Sequence, residues 1–315
     1  MPDLYVANTD NDWFDFLRAR QPWEEINFWK PSQTLFKAID EGGLFVFRLK
    51  APRNVIGGYG ILVSSINAPI KLAWESIGEG NGVASVSKMV EAIARYRKSR
   101  DTTEHSMIGC RLLSNPVFFD ESEWFDVPKS WSQNIVTGKV YNTRSDDGAD
   151  LFEKIEARNS GLQNTIICNK SDFFGFNEPE SARYGAPILI EPRLGQASFR
   201  MKISSTYEFT CAVSGTRVLP ALDAAHIQPY ADGGPHRVEN GILLRKDIHS
   251  VFDAGFATFD EEYRFIVSDQ VATIFNNGNE YKRLSGHKLR LPKSVQNWPS
   301  QKAIRWHREN RYVGD

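Results

Sequence analysis

Two histidines, an asparagine and an aspartate within one stretch of the chain have the residue types that hydrolytic chemistry needs. His226 follows an apolar run, Asn240 lies fourteen residues later, and His249 lies nine residues beyond Asn240. An imidazole at the end of a strand can act as a general base. Asp253 follows His249 by four residues, so on a helix the two would share one face and could hold a divalent ion. A base opposite a metal ion can hydrolyse a phosphodiester, because the ion neutralises charge on the phosphate while the base deprotonates water.

Two strands, a loop and a helix are needed to bring these side chains together. The stretch from 207 to 255 contains two apolar segments joined by a loop with Gly, Pro and Asp, and a helical pattern follows them. Such a pattern predicts two extended strands and then a helix. This small unit would gather all four side chains.

The order His226, Asn240 and His249 resembles the H-N-H signature of ββα-metal nucleases. The surrounding CAVSG, AAHIQPY, ENGILL and HSVFDAG are similar to the branch of that family found in prokaryotic restriction enzymes. The resemblance covers roughly residues 192 to 268. It implies that His226 is the general base, that Asn240 braces the loop so that the base keeps its tautomer and aim, and that His249 is a metal ligand.

One position departs from the family pattern. Many members carry a metal-binding acid or histidine just before the base, where this chain has Ala225. Asp223 has the same strand parity as Ala225, so it could supply the missing ligand. Asp253 is the other candidate, although it could instead cap or pair locally. Imidazole with carboxylate implies Mg²⁺, or another divalent ion such as Mn²⁺, Co²⁺ or Ni²⁺.

The first half of the chain holds six of the eight tryptophans, and some of them lie beside turn-forming Pro or Gly and polar residues. Aromatic faces with adjacent amide and hydroxyl groups can form a slot for a planar heterocycle, in which stacking supplies affinity and the polar groups read the edge. Each candidate could equally be a core residue. The candidates for this slot are Trp23, Trp29, Trp74, Tyr59, Asn27, Ser32 and Asn81.

The segments NFWKPS, GGLFVFRLK, PRNVIGGYG, LAWESIGEGNG and WSQNIVTGKVY resemble EVE domains of the PUA-like superfold, which are small β-barrels that bind modified bases. The resemblance covers roughly residues 1 to 143. Its fusion to an H-N-H nuclease resembles a modification-dependent restriction endonuclease. The resemblance implies that the slot takes a flipped 5-methylcytosine or 5-hydroxymethylcytosine from double-stranded DNA.

Together these patterns predict an α+β protein in three parts. Residues 1 to 143 would form the EVE-like, PUA-like β-barrel with flanking helices, residues 144 to 191 a helical linker, and residues 192 to 315 the ββα-metal nuclease domain. The linker is predicted from RSDDGADLFEKIEARNSG, in which turn-forming residues flank a strong helical pattern.

The distribution of charge along the chain bears on which partner it binds. The net charge is −1, but between Tyr281 and Val313 there are nine Lys or Arg residues against one acid. A local basic face of this kind suits a DNA backbone, although a solvated charged face is an equal alternative. Candidate phosphate contacts near the nuclease motif are Arg193, Arg200, Lys202 and Arg245.

Several features predict a cytoplasmic protein that has no membrane partner. No apolar run is long enough to cross a bilayer, the N-terminus lacks the apolar core of a signal peptide, and the three cysteines are widely scattered. One nuclease core cuts one strand at a time, so double-strand cleavage predicts a homodimer or two independent nicks.

Two alternatives stay open. The chain could be a nuclease whose first part reads another base or RNA. It could also be a module that binds modified DNA and whose H-N-H half is inactive, an alternative to which Ala225 gives weight.

Overall fold

The computed structural model describes residues 3–99, 101–158, 195–275 and 278–314. The chain forms two compact units, Met1–Pro192 and Arg193–Asp315. Both combine helices with sheet, so the predicted α+β class is confirmed. Within the described ranges, no helix has the length and apolar character needed to cross a membrane.

A mixed seven-stranded sheet is the framework of the first unit. Its strands are β1 (Asp3–Thr9), β2 (Glu25–Asn27), β3 (Leu44–Leu49), β4 (Val55–Pro69), β5 (Met107–Phe118), β6 (Phe125–Asp126) and β7 (Gly138–Asn142). The order is β2-β5-β4-β3-β1-β7, and β6 pairs with β4. Strands β1 and β3 are parallel, and the other neighbours are antiparallel.

The long central strands β4 and β5 bend because their register shifts twice, between Tyr59 and Ile61 and between Leu62 and Ser64. A Cβ at Gly58 would lie 2.1 Å from the carbonyl oxygen of Val117, so only glycine allows β5 to approach this closely. The assignment of this bent sheet to an EVE-type barrel stays a prediction.

Four α-helices of the described residues accompany this sheet: α1 (Asn11–Arg18), α2 (Ile70–Ile77), α3 (Val86–Arg97) and α4 (Asp146–Arg158). Helix α1 begins where Asp10 accepts hydrogen bonds from the backbone N–H groups of Asp12 and Trp13. One apolar cluster of the unit contains Trp13, Phe28 and Phe45, and a second contains Tyr59 and Tyr141.

Helix α4 lies in the segment that the sequence suggests as a linker. Its Leu151 and Ile155 are fully buried in the second apolar cluster, together with Tyr59 and Phe119. This part of the segment therefore packs as part of the first unit. Residues 159 to 191 of the predicted linker lie outside the described residues.

The described residues of the second unit form two small antiparallel sheets and five α-helices. Its elements are α5 (Gln196–Thr206), β8 (Leu222–His226), β9 (Gly241–Arg245), α6 (Lys246–Asp253), β10 (Ala257–Phe259), β11 (Phe265–Val267), α7 (Gln270–Ile274), α8 (Asn279–Lys282) and α9 (Gln301–Asn310). Strands β8 and β9 pair with each other, as do β10 and β11. The strand–loop–strand–helix unit predicted around the histidines is therefore present.

Helix α9 is attached to the rest of the second unit by a buried histidine. His307 is 2% exposed, and its ring stacks on that of Phe252 in α6 with 3.9 Å between the ring centroids. The Thr258 hydroxyl lies 3.0 Å from His307 Nδ1. Burial lowers the pKa of His307 from 6.5 to about 4, so the folded protein holds it neutral.

The neutral state of His307 makes the second unit sensitive to acid. Above pH 6.5 the ring is neutral whether the protein is folded or unfolded, whereas between pH 6.5 and about 4 only the unfolded chain binds the extra proton. Stability therefore falls as the pH is lowered through this window, by up to about 3 kcal/mol for this group. We expect His307→Phe to reduce the loss of unfolding free energy between pH 7 and pH 4 in urea titrations.

The exposed His287 provides the control, since His287→Ala should leave the pH dependence of stability unchanged. An equal loss in wild type and His307→Phe would show that His307 is not the group that titrates.

Candidate active site

Helix α5, the end of β8 and one face of α6 line a cavity of about 460 Å³. His226 is the last residue of β8 and pairs with Gly241 at the start of β9. Helix α6 begins directly after β9, so His249 and Asp253 follow on consecutive turns. Both line the cavity with His226.

The imidazole of His226 is positioned to accept a proton. Its ring stacks on Phe199 of α5, with 3.9 Å between centroids and 6° between the planes. Its Nε2 is buried and has no hydrogen-bond partner among the described residues. Burial lowers the pKa of His226 to about 4, and the nearby His236 and His249 act in the same direction. At neutral pH the ring is therefore a neutral base.

His249 has the opposite electrostatic environment. Asp223 Oδ2 lies 3.1 Å from its Nδ1, and Asp253 Oδ2 lies 3.1 Å from its Nε2. Burial by itself lowers the pKa of His249, but the two carboxylates outweigh it and raise the pKa to about 9. The hydrogen bond from His249 in turn lowers the pKa of Asp223. At neutral pH this is an imidazolium between two carboxylates.

The chemistry of these three side chains fits a divalent ion. Among the described residues, no three His, Cys, Asp or Glu side chains already stand in the arrangement of a metal site. The carboxylates bracket opposite nitrogens of one ring, so an ion on either nitrogen would replace a proton. A ligating histidine commonly donates its other N–H to a carboxylate. Of Asp223 and Asp253, one could bind the ion beside His249, and the other could accept the hydrogen bond from the opposite N–H of the ring.

Asp223 reaches the site for a reason other than the predicted one. The expectation rested on its sharing the strand parity of Ala225. Ala225 is fully buried and does not line the cavity, whereas Asp223 and His226 both do. Equal parity along β8 therefore does not give Asp223 and Ala225 the same surroundings.

Asn240 closes the loop that follows His226. Its Nδ2 donates to the carbonyl oxygens of Gln228 (2.8 Å) and Pro235 (2.9 Å), and its Oδ1 accepts from the Gln228 N–H (3.0 Å). The Ile227 N–H donates to the Asn240 carbonyl oxygen. At 1% exposure the side chain uses both donors and its acceptor inside the protein, so no isosteric side chain could replace it.

The four predicted phosphate contacts differ in their surroundings. Arg200 lines the cavity, and Lys202 lies on the same helix, α5. Arg245 forms a two-point ion pair with Asp247, at 2.6 and 2.7 Å, so its guanidinium is already engaged and it fits a phosphate contact poorly. Arg193 lies outside the described residues.

Two aromatic side chains that line the cavity were not among the predicted site residues. Phe199 stacks on His226, and His307 lines the cavity from the C-terminal helix. Neither has a motif of its own. The only signal for Phe199 is its place in the phrase PRLGQASFR just before the nuclease motif.

Three of the candidate slot residues in the first unit form one hydrogen-bonded network. Trp29 Nε1 donates to the Asn81 carbonyl oxygen at 2.9 Å, and Asn27 Nδ2 donates to Asn81 Oδ1 at 2.9 Å. The Asn81 amide also binds the carbonyl oxygens of Ala73 and Gly78, which uses all its polar groups. Asn27 is fully buried, and its Oδ1 has no partner in the described part of the chain.

The other four slot candidates lie apart from this network or in the core. Tyr59 is 1% exposed within the second apolar cluster, so its place in a slot was wrong. Trp23 packs against the first cluster and donates to the Leu17 carbonyl oxygen. Trp74 is half-buried on α2, and the Ser32 side chain is exposed.

Two solved structures are similar to this chain at a low level. A mutant ZmASCH protein from Zymomonas mobilis aligns with 49% of this chain and 99% of its own, at 9% identity and a TM-score of 0.33. The modification-dependent TagI restriction endonuclease aligns with 92% of this chain and 76% of its own, at 13% identity and a TM-score of 0.29. Both TM-scores are too low to indicate a shared fold or function.

No curated protein sequence gives a significant match. The family match is local and coincides with the cavity. Residues 211–260, which contain His226, Asn240 and His249, match the family described as HNH endonuclease, so this segment is an HNH endonuclease domain.

Proposed function

We propose that the chain is a divalent-metal-dependent endonuclease that cuts double-stranded DNA carrying modified cytosine. The supporting observation is a neutral histidine with an unpartnered nitrogen that shares one cavity with a carboxylate-bound histidine. His226 is that base, and His249 with Asp253 and Asp223 is the ion site. The HNH match over the same residues supports this assignment.

The side chains around the cavity would divide the work of hydrolysis. His226 takes a proton from water, because its low pKa leaves the ring neutral with a free lone pair at neutral pH. Phe199 fixes the plane of the ring, and Asn240 fixes the loop behind it. A divalent ion (Mg²⁺, Mn²⁺, Co²⁺ or Ni²⁺), when bound, supplies positive charge to the phosphate and the leaving oxygen.

The first unit is proposed to read the modified base. Asn27 Oδ1 is a buried acceptor with no partner among the described residues, and the exocyclic amine of cytosine is a matching donor. Trp29, bonded to the same network, offers an aromatic face for stacking. A flipped 5-methylcytosine or 5-hydroxymethylcytosine is the proposed ligand, and a homodimer the proposed unit for cutting both strands.

A binding module with an inactive nuclease half is the second candidate. Ala225 in place of a ligand, and the pairing of both His249 nitrogens with carboxylates, favour it. Metal-dependent cleavage by the purified protein would exclude this candidate.

Replacing the proposed general base, His226, tests the nuclease assignment. We expect His226→Ala to lower the cleavage rate by about 10²- to 10⁴-fold, because water loses its proton acceptor. The exposed His287→Ala is the matched control and should keep the wild-type rate. Initial rates on a supercoiled plasmid with Mn²⁺, alongside a thermal unfolding curve, measure this. Unchanged cleavage in a folded His226→Ala protein would contradict the assignment.

Removing a carboxylate tests the ion site. We expect Asp253→Asn to weaken Mn²⁺ binding at least about tenfold in calorimetric titrations. Because the ion displaces a proton whose pKa is about 9, affinity should also rise about tenfold per pH unit between pH 6 and 8.

Asp247→Asn is the control for this titration, since that carboxylate lies on the same helix but pairs with Arg245. Equal Mn²⁺ affinity in wild type and Asp253→Asn would remove Asp253 from the ligand set.

Comparing cytosine, 5-methylcytosine and 5-hydroxymethylcytosine in one duplex tests the reader. We expect wild type to cut the modified duplexes faster, and Trp29→Ala or Trp74→Ala to lose that preference while metal-dependent nicking persists. Trp131→Ala, which removes a tryptophan packed on the second apolar cluster, should keep the preference. Equal cutting of all three duplexes by wild type would refute cytosine reading, and failure of the two variants to fold would show that these tryptophans are core residues.

A further inference from the structure

Two cations lie on the face of the first unit's sheet opposite the Asn27 network. Side chains alternate along an extended segment, so Asn27 and Trp29 point to one face while Phe28 and Lys30 point to the other. Arg111 of β5 shares this second face. Its guanidinium carbon lies 6.0 Å from the Phe28 ring centroid, and Lys30 Nζ lies 5.8 Å from the same ring.

Neither cation has a counter-ion in the described part of the chain. Arg111 Nε and Nη1 are buried without a hydrogen-bond partner. Arg53 of the same unit, by contrast, pairs with both Asp15 oxygens, at 2.8 and 2.9 Å. Burial, Arg111 and Lys50 all lower the pKa of Lys30, to about 8. Its surroundings are therefore electrically positive.

Two neighbouring cations without a counter-ion destabilise the folded protein unless an anion binds beside them. A buried charge is costly when no partner neutralises it, and each unmet guanidinium donor adds to the cost. The aromatic rings of Phe28, Phe36 and Tyr5 surround the pair, so the site has a low dielectric and an anion there would be strongly attracted. The planar guanidinium fork matches two oxygens of one oxyanion.

The Phe36 ring covers the Arg111 guanidinium. Phe36 lies 4.8 Å from the Arg111 guanidinium carbon, and its backbone N–H donates to Ser65 Oγ at 2.8 Å. The flanking Leu35 is 47% exposed, and the Phe36 ring packs against the rings of Tyr5 and Phe45. A ligand would reach Arg111 past half-buried Lys30, with movement of the Phe36 ring.

We propose that Lys30 and Arg111 form an oxyanion-binding site in the first unit. Its ligand is an oxyanion of the bound nucleic acid, either a phosphodiester of the backbone or a carboxyl group carried on a base. The choice of nucleic acid rests on the proposed function, whereas the affinity for an oxyanion does not. The site is separate from the Asn27 network, because it lies on the other face of the sheet.

Inorganic phosphate is the probe for the site itself. At constant ionic strength, phosphate in place of chloride should raise the Tm of the full chain by roughly 3 to 7 °C when it is well above its Kd. Arg111→Leu should lose this rise, and its Tm in chloride should equal or exceed that of wild type, because an unpaired buried charge is gone. Arg53→Leu, which removes a paired arginine, should lower the Tm and keep the phosphate response.

Two results would overturn the site: no phosphate response in wild type, or an undiminished response in Arg111→Leu. If Arg111→Leu does not fold, Lys30→Met takes its place, since this side chain is less enclosed. It should weaken the apparent phosphate affinity at least about tenfold, and an unchanged affinity would overturn the site equally.

Duplex binding in a His226→Ala background, which avoids cleavage, identifies the source of the oxyanion. If it is the backbone, adding Arg111→Leu weakens all duplexes alike and reduces the slope of log K against log salt by about 1. If it is a base carboxyl, only a duplex with 5-carboxylcytosine is weakened. A phosphate response without any effect on duplexes would keep the oxyanion site and refute its use in nucleic-acid binding.

Discussion

The shape of the candidate active site depends on the hydrogen bonds of one buried amide. Asn240 donates to two carbonyl oxygens of the loop that follows β8 and accepts from a backbone N–H at its start. This loop begins directly after His226, so the amide holds the backbone next to the imidazole. A buried amide left without these partners would cost more than the hydrogen bonds themselves contribute, and the loop therefore has one favourable closure.

Two histidines in one cavity have opposite protonation states because of their neighbours. His226 lies against an aromatic ring and meets no carboxylate of the described residues within hydrogen-bond reach, so burial dominates and its pKa is about 4. His249 lies between two carboxylates, which raise its pKa to about 9. One ring is therefore a free acceptor at neutral pH, and the other holds a proton that a metal ion could replace. Residue type alone assigns neither state.

The first unit uses alternation along one short segment to build two different environments. On one face, Asn27 and Trp29 enter a network of amides in which nearly every polar group is satisfied. On the other face, Lys30 and Arg111 both lie near the Phe28 ring, and no carboxylate of the described residues pairs with either. Consecutive residues thus support two proposals with different chemistry, one for the edge of a base and one for an oxyanion.

The sequence by itself determined the local pattern of the nuclease half. Apolar segments around a Gly- and Pro-containing loop, followed by a helical pattern, predicted β8, β9 and α6, and the order of His226, Asn240 and His249 identified the candidates. Only the tertiary structure decided the rest: that Phe199 stacks on His226, that Asp223 and Asp253 bracket one imidazole, that Tyr59 is a core residue, and that Arg111 has no counter-ion among the described residues. The physical reason is distance along the chain. Strand and helix patterns arise from neighbouring residues, whereas burial, stacking and charge pairing depend on segments that meet only when the chain is folded.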